Sequence, residues 1–265
     1  MVDAAAFFAS HRVFTTDEFG VALGLARRSR DSLLGCYRRQ RRLLPIRRGL
    51  YWVVQPGENI DSASVDPYLV AARATDDAIL AYHTALEFHG RAYSGFSELQ
   101  YLTAQAPRSV TFRDWRFRPV RFPKALLGTG NARFGVEHHD RHGQTVDVAG
   151  LERALVDVLD RPELSGGWEE AWRSLEMVEF FDLDQVVAYA LLLDNATTIG
   201  KVGWFLQLHR DSLMVDEQYL ALLRGLSPRQ PRYVSRKDHG PTRMIPEWNL
   251  IVPEAWAEQR WSEVA

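Results

Sequence analysis

The sequence predicts an α+β fold, in which a small basic amino-terminal domain precedes a mixed α/β body with a helical carboxy-terminal part. Residues 1–60 combine three short helical patterns with a Gly-turned hairpin, and they hold ten arginines against five acidic residues. Residues 67–265 contain strand-like segments up to about residue 150, are mainly helical from 151 to about 226, and end in an extended tail. These two regions are the predicted domains.

Composition limits the class of protein. The chain of 265 residues is 46% hydrophobic, which is enough to form real cores. No apolar run approaches the roughly 18 residues that a membrane span requires, and the start "MVDAAAFFASHRV" lacks the pattern of a signal peptide. Cys36 is the only cysteine, which excludes an intrachain disulfide and a multi-cysteine zinc site. We expect a cytoplasmic chain with no membrane partner.

The second predicted helix has a clear start and stop. In "VFTTDEFGVAL", Thr15 and Glu18 have the spacing of a capping box, and Phe14 can pack against Phe19 as a hydrophobic staple. Gly24 is expected to end this helix.

A third helix and a hairpin follow. Ser29 is a suitable N-cap for a helix that reaches about Arg42, with an inner face at helical spacing formed by Leu33, Leu34 and Tyr37. "LLPIRRGLYWVV" then predicts two strands, Leu44 to Arg47 and Leu50 to Val54, joined by a turn at Gly49.

Three helices followed by a two-stranded hairpin form the pattern of a winged helix-turn-helix, in which the third helix enters the DNA major groove. Nine arginines and one acid lie between residues 27 and 48. A basic patch on this pattern predicts nucleic-acid binding. Two alternatives are a solvated helix face in an arginine-rich chain and complementation of the helix dipole. The predicted DNA-binding residues are Arg27, Arg28, Ser29, Arg30, Ser32, Arg38, Arg39, Arg41, Arg42, Arg47 and Arg48.

The body predicts further elements. Pro67 begins a helix, residues 81–90 form another that Gly90 ends, and "ELQYLTAQAP" is an alternating strand. "WRFRPVRF" is a second strand, in which Pro119 implies a sheet edge or a bulge. A hairpin with its tip at residues 140–143 precedes the helical part, where we expect the tryptophans to lie in the core (Trp168, Trp172 and Trp204).

Other patterns argue against catalysis. In "EHHDRH", adjacent histidines on a strand point to opposite faces, so a metal site is not expected. His83 and Glu87 share a helix face but lack the second histidine of H-E-x-x-H, and are interpreted as a structural or surface pair. Glu152 and Asp157 are interpreted as caps and surface partners of nearby arginines. The sequence has no phosphate loop and no G-x-S-x-G motif. We predict no enzyme activity and no cofactor.

Four stretches carry a resemblance to a known family. They are "TTDEF", "LPIRRGLYWV", "AYHTALEFHG" and "VAGLERALVDVLDRPELSGGWEEAWRSL", and together they extend along most of the chain. On these stretches the sequence resembles the AbiEi group of bacterial transcriptional regulators, which are antitoxins of type IV toxin–antitoxin and phage-defence systems. Thr84 stands where a serine is common in that group.

The resemblance implies an amino-terminal winged-helix DNA-binding domain and a carboxy-terminal antitoxin domain. It also implies autoregulation of an operon that encodes a nucleotidyltransferase-like toxin, with double-stranded DNA of the chain's own promoter, carrying inverted repeats, as the partner. By match to the family's pattern, Ser29, Arg30, Arg38 and Arg39 fall on the third helix, and the wing tip carries Arg47 and Arg48.

Three functional hypotheses remain open from the sequence. The first is a DNA-binding repressor that counteracts the toxin. The second is a protein-binding winged helix whose arginines contact an acidic partner, for example the toxin itself. The third is a nucleic-acid-processing enzyme, which would need a convergent acidic or metal cluster between residues 67 and 225, and the sequence contains no such pattern.

Overall fold

The computed structural model describes residues 3–234 and 240–258, and it confirms the predicted α+β class. Part of the predicted extended tail, residues 235–239 and 259–265, lies outside the described residues. Within the described ranges, no helix is both long and apolar enough to cross a membrane.

The elements follow one another along the chain as helices α1–α12 and strands β1–β12. The first group is α1 (Ala4–Ser10), β1 (Val13–Thr15), α2 (Thr16–Leu23), α3 (Arg27–Arg39), β2 (Leu43–Arg47), β3 (Leu50–Val53), α4 (Pro67–Ala72) and β4 (Ile79–Leu80). The second group is α5 (His83–Phe88), β5 (Glu98–Thr103), β6 (Val110–Phe112), β7 (Trp115–Arg121), α6 (Lys124–Leu127), β8 (Val136–Arg141) and β9 (Gln144–Ala149). The third group is α7 (Leu151–Asp160), α8 (Trp168–Glu176), α9 (Leu183–Leu192), α10 (Ala196–Leu208), α11 (Glu217–Leu226), β10 (Arg232–Tyr233), β11 (Thr242–Ile245), β12 (Leu250–Pro253) and α12 (Glu254–Ala257).

The chain divides into two compact units. The first consists of Met1–Leu80, Phe96–Arg121 and Glu137–Val148, and the second consists of Ala81–Gly95, Phe122–Val136 and Ala149–Ala265. Because the chain enters the first unit three times, residues 1–60 share that unit with most of the strands of the body. The predicted domains, residues 1–60 and 67–265, therefore do not coincide with these units.

The amino-terminal part of the first unit is built on an aromatic core. Strands β1, β3 and β2 form an antiparallel sheet in that order. The rings of Phe14 and Phe19 lie 5.5 Å apart, as the predicted staple requires. The buried core residues are Ala4, Phe7, Phe8, Phe14, Phe19, Leu23, Leu34, Leu43 and Val53, with Leu33 and Tyr37 packed against them.

The boundaries of α2 agree with the sequence, whereas those of α3 differ. Thr15 and Glu18 form the predicted capping box, and Gly24 ends α2 in the left-handed conformation. Ser29 is not an N-cap, because α3 already begins at Arg27 with Ala26 as its N-cap. Two residues after Gly24 suffice for the turn, and the Arg30 amide already donates to the Ala26 carbonyl at 2.9 Å. The helix ends at Arg39, three residues before the predicted end.

The predicted hairpin is present, with a third strand beside it. Strands β2 and β3 lie within one residue of their predicted bounds, and Gly49 turns between them with φ of +80°. Strand β1 pairs with β3, with Val13 opposite Trp52. Strand β1 was not predicted, because three residues are too few to show the alternation of a strand. In this stretch the sequence pattern indicated only the start of the helix that follows.

A six-stranded sheet completes the first unit, in the order β6-β7-β5-β4-β9-β8. Strand β7 as a whole lies between β6 and β5, but the predicted edge position of Pro119 holds locally, because Pro119 lies beyond the end of β6. The proline is tolerated because β6 pairs only with Trp115 to Phe117, which leaves the Pro119 nitrogen facing no partner in β6. The predicted hairpin tip is confirmed at His142 and Gly143, which both have positive φ.

One side chain joins the two sheets of the first unit. Gln144, buried in β9, accepts a hydrogen bond from the Val13 backbone nitrogen at 3.0 Å and donates to the Val13 carbonyl at 2.8 Å. Its amide thus pairs with β1 in the way that a neighbouring strand would.

The second unit is mainly helical and contains the predicted helices of residues 151–226. Trp168, Trp172 and Trp204 are buried, which confirms their predicted place in the core. The tail packs back as a three-stranded sheet in the order β10-β12-β11. Trp248 packs against Gly203 of α10, where a Cβ atom would lie 2.1 Å from the indole ring.

Candidate nucleic-acid interface

Helix α3 presents one exposed face that the core does not use. Leu34 is buried, and at about 3.6 residues per turn the residues on the opposite side form a single stripe. The stripe consists of Arg28, Ser29, Ser32, Cys36 and Arg39. All of these are exposed except Cys36, which is half-buried. We call this stripe the outward face of α3.

Arg30 lies away from the outward face and is engaged within the protein. Its guanidinium group donates to Asp17 at 2.6 Å and to Asp31 at 3.0 Å. Its aliphatic stem packs over Gly20, where a Cβ atom would lie 2.8 Å from the Arg30 Cδ atom. The hydrogen bond to Asp31 raises the pKa of Arg30 above its ordinary value. The geometry gives Arg30 the role of holding α2 against α3.

The carboxy-terminal end of α3 and strand β2 enclose a groove of about 540 Å³. Arg41, with φ of +59°, forms an ion pair with Asp61 at its rim. Arg42 lies over the rings of Phe8 and Tyr37 at 5.5 and 5.2 Å, so its charge is held against the core. The groove is lined by Gly35, Arg38, Arg39, Arg41, Leu43, Leu44, Pro45, Ile60 and Asp61.

The two arginines at the hairpin turn have different environments. Arg48 is exposed at the tip. Arg47 donates to the Ala74 carbonyl at 2.6 Å and to the Arg48 carbonyl at 3.1 Å, which fixes its guanidinium group within the first unit. The Thr16 hydroxyl at the start of α2 donates to the Gly49 carbonyl at 3.1 Å and so fixes the tip against α2.

The eleven predicted residues therefore separate into two groups. Exposed positions are Arg27, Arg28, Ser29, Ser32, Arg38, Arg39, Arg41 and Arg48, although Arg41 is paired and Arg27 lies 4.0 Å from Asp31. The three held by internal contacts are Arg30, Arg42 and Arg47. Cys36 was not predicted, yet counting helical positions from Leu34 would have placed it on the outward face.

Charge is distributed unequally between the two units. By residue count, the first unit holds 17 arginines and 14 acidic residues, for a net charge of +3. The second holds 15 basic and 20 acidic residues, for a net charge of −5. The excess of positive charge therefore belongs to the first unit, which contains α3 and hairpin β2–β3.

The histidines singled out in the sequence occupy other environments. His138 forms a 2.6 Å contact with Asp147, and His139 contacts Glu137 at 2.9 Å. In the second unit, His83 is fully buried, with Nε2 3.0 Å from the Ser94 carbonyl, and burial lowers its pKa.

Asp157 is buried in the second unit, so its interpretation as a surface partner is wrong. It accepts a hydrogen bond from the Tyr189 hydroxyl at 2.8 Å and lies 3.5 Å from the guanidinium group of Arg153. Burial raises the pKa of Asp157 to about 6. The short helix pattern gave no signal that both charged residues face the core.

Comparison with solved structures finds a similar fold in the crystal structure of the RV2827C protein from Mycobacterium tuberculosis. The TM-score is 0.56 at 20% sequence identity, and the match covers 93% of this chain and 89% of that chain. At this identity the similarity extends to the fold alone. The chain matches no protein-family model, and no curated protein matches it either.

Proposed function

We propose that this chain is a DNA-binding transcriptional repressor whose amino-terminal elements act as a winged helix-turn-helix. The observation that carries the proposal is the outward face of α3, a set of arginines and serines directly opposite the aromatic core. The order α1-β1-α2-α3-β2-β3, with the sheet order β1-β3-β2, supports a winged-helix interpretation. In such modules the second helix of the helix-turn-helix motif, which is α3 here, enters the major groove. The hairpin contacts the DNA backbone.

Roles within the interface follow from side-chain exposure. Arg28, Ser29, Ser32 and Arg39 are free to approach base edges or flanking phosphates. An arginine can donate two hydrogen bonds to guanine, and serine can pair with several bases. Arg48 at the wing tip is suited to a phosphate contact, which positions the protein without reading sequence.

The target and regulation follow from the resemblance to the AbiEi group. We propose that the chain binds double-stranded DNA of its own promoter, at inverted repeats, and represses an operon that encodes a nucleotidyltransferase-like toxin. The second unit, with its acidic balance, is the candidate for counteracting the toxin. We propose no catalytic role for the chain.

The test is equilibrium binding of the full chain to its own upstream DNA and to random duplex, by fluorescence anisotropy. Replacing Arg28 and Arg39 with alanine should weaken binding to the upstream DNA by at least tenfold, since one base contact contributes about 1–3 kcal/mol. The matched control, R229A/R232A, removes two exposed arginines from the second unit and should bind as the wild type does.

Two outcomes would contradict the proposal. One is wild-type protein that binds no duplex at low salt. The other is an R28A/R39A variant with unchanged affinity on both duplexes. The protein-binding alternative would be favoured instead if the wild type bound the purified toxin and the R28A/R39A variant did not.

A further inference from the structure

A second basic segment lies in the first unit, far from α3 in sequence. Residues 105–121 hold five arginines and a single acid, Asp114. They include hairpin β6–β7, which lies at one edge of the six-stranded sheet. The arginines are Arg108, Arg113, Arg116, Arg118 and Arg121. The predicted DNA-binding residues all lie between 27 and 48, so this segment had no assigned role.

Two of these arginines share one carboxylate. Arg116 and Arg118 alternate along β7, so both project from the same face of the sheet. Both contact Glu98 on the adjacent strand, at 3.3 and 3.1 Å, and their side chains remain 59% and 40% exposed. One carboxylate cannot neutralise two guanidinium groups, so this face keeps an excess positive charge.

The hairpin is held close to the proposed interface. Arg113 at its turn donates to the carbonyl oxygens of Ile60 and Ala63. Ile60 lines the groove that also includes Arg38 and Arg39 of α3. Strand β6 also lies beside β2 of the wing hairpin. Arg113 thus fixes the basic hairpin next to the elements that would contact DNA.

We propose that hairpin β6–β7 is a second, sequence-independent contact surface for duplex DNA, which binds phosphates flanking the segment contacted by α3. This inference rests on the proposed function, because it requires a duplex already placed against α3. Exposed guanidinium groups on an edge hairpin suit phosphate oxygens, which accept paired hydrogen bonds from arginine. The duplex bound by the full chain is therefore longer than a lone winged helix would require.

Binding to duplexes of about one and about four helical turns tests this surface, with affinity measured against salt concentration. On the longer duplex, R116A/R118A should lower the log–log salt slope by roughly 0.9 for each phosphate that the variant no longer binds. On the shorter duplex, which α3 alone fills, the slope should not change. R229A/R232A is the charge-matched control and should leave both slopes unchanged.

A second variant is expected to act in the opposite direction. E98Q removes the carboxylate that neutralises the two arginines, so it should bind the longer duplex several-fold more tightly at low salt. Its salt slope should be steeper by up to about 0.9. A variant that merely failed to fold would lose affinity and could not produce this gain.

The outcomes separate this inference from the proposed function. An unchanged slope for R116A/R118A on the longer duplex would overturn the inference, as would an equal decrease for R229A/R232A or unchanged binding by E98Q. The proposed function would still hold if binding depended on Arg28 and Arg39. Wild-type protein that bound neither duplex would overturn both.

Discussion

The guanidinium group of Arg30 connects two helices rather than facing outward. It bonds to Asp17 of α2 and Asp31 of α3, and its stem fills the space over Gly20. A residue in this position sets the angle between α2 and α3, on which the proposed fit of α3 to DNA depends. Its influence on binding is therefore expected to be indirect.

Replacing Arg30 with alanine should lower the melting temperature and weaken binding to upstream and random DNA by similar factors. The reason is that a displaced α3 moves away from bases and phosphates together. Thermal melting and anisotropy on both duplexes would measure this, with R28A as the comparison, since Arg28 is exposed and its replacement should leave the melting temperature unchanged. A selective weakening on upstream DNA at unchanged melting temperature would contradict this and indicate that Arg30 contacts a base.

Asp157 makes stability depend on pH in an uncommon direction. Its pKa is raised to about 6 by burial, whereas an unfolded aspartate titrates near 4. The native state therefore holds a proton that the unfolded state has released between about pH 4 and pH 6. The contribution of this group to stability is greatest below pH 4 and falls as pH rises through 6, by roughly 3 kcal/mol in all.

The D157N variant should lack this component of the pH dependence, since asparagine does not titrate. The measurement is the free energy of unfolding by urea at several values between pH 4 and pH 7, with D211N, an exposed aspartate in the same unit, as the control. If wild type and D157N showed the same pH dependence, the buried carboxylate would not be titrating as described.

At the scale of elements, the two arginines at the turn of hairpin β2–β3 differ in whether they can contact a DNA phosphate. Arg48 is exposed, whereas Arg47 is bound to the Ala74 and Arg48 carbonyls. We expect R48A to lower the salt slope of DNA binding by roughly 0.9, and R47A to lower thermal stability with little change in slope. Equal slopes for R48A and wild type would remove the wing tip from the interface.

Strand β1 pairs with β3 along one edge, and along its other edge its hydrogen-bond partner is the side chain of Gln144. Gln144→Leu would keep most of the volume but leave the Val13 amide and carbonyl buried without partners. The expected decrease in the free energy of unfolding is roughly 1–3 kcal/mol for each backbone group. Chemical denaturation would measure it, with the exposed Gln230→Leu as control. Unchanged stability would mean that water replaces the amide.

Local patterns were sufficient to predict some elements. The capping box of Thr15 and Glu18, the Gly49 turn and the helices after residue 151 depend on residues within a few positions of one another. The pairing of strand β1 and the Gln144 contact do not depend on such neighbouring residues. The glutamine acts on a residue 131 positions away, and no short-range signal encodes such a contact.

At the scale of the whole molecule, the grouping of residues into units and the distribution of charge also depend on residues that are distant in sequence. Composition indicated that the basic excess ends near residue 60. The structure instead groups residues 1–80 with strands up to residue 148, and those strands bring in a second set of arginines. The outward face of α3 could be predicted from helical spacing, because Leu34 marks the buried side. The contacts of Arg30 with Asp17, of Arg42 with Phe8 and of Arg47 with the Ala74 carbonyl could not be predicted, since each joins residues that are distant in sequence.

The central claim is that α3 enters the major groove with its outward face against the bases. Cys36 offers a direct test, because it is the only cysteine and lies in the middle of that face. An iron chelate attached to Cys36 would cleave nearby DNA, and the C36S variant controls for attachment elsewhere. We predict cleavage confined to a few base pairs within each half-site of the chain's own upstream DNA. A complex that forms but shows no cleavage centred on the bound site would contradict the account.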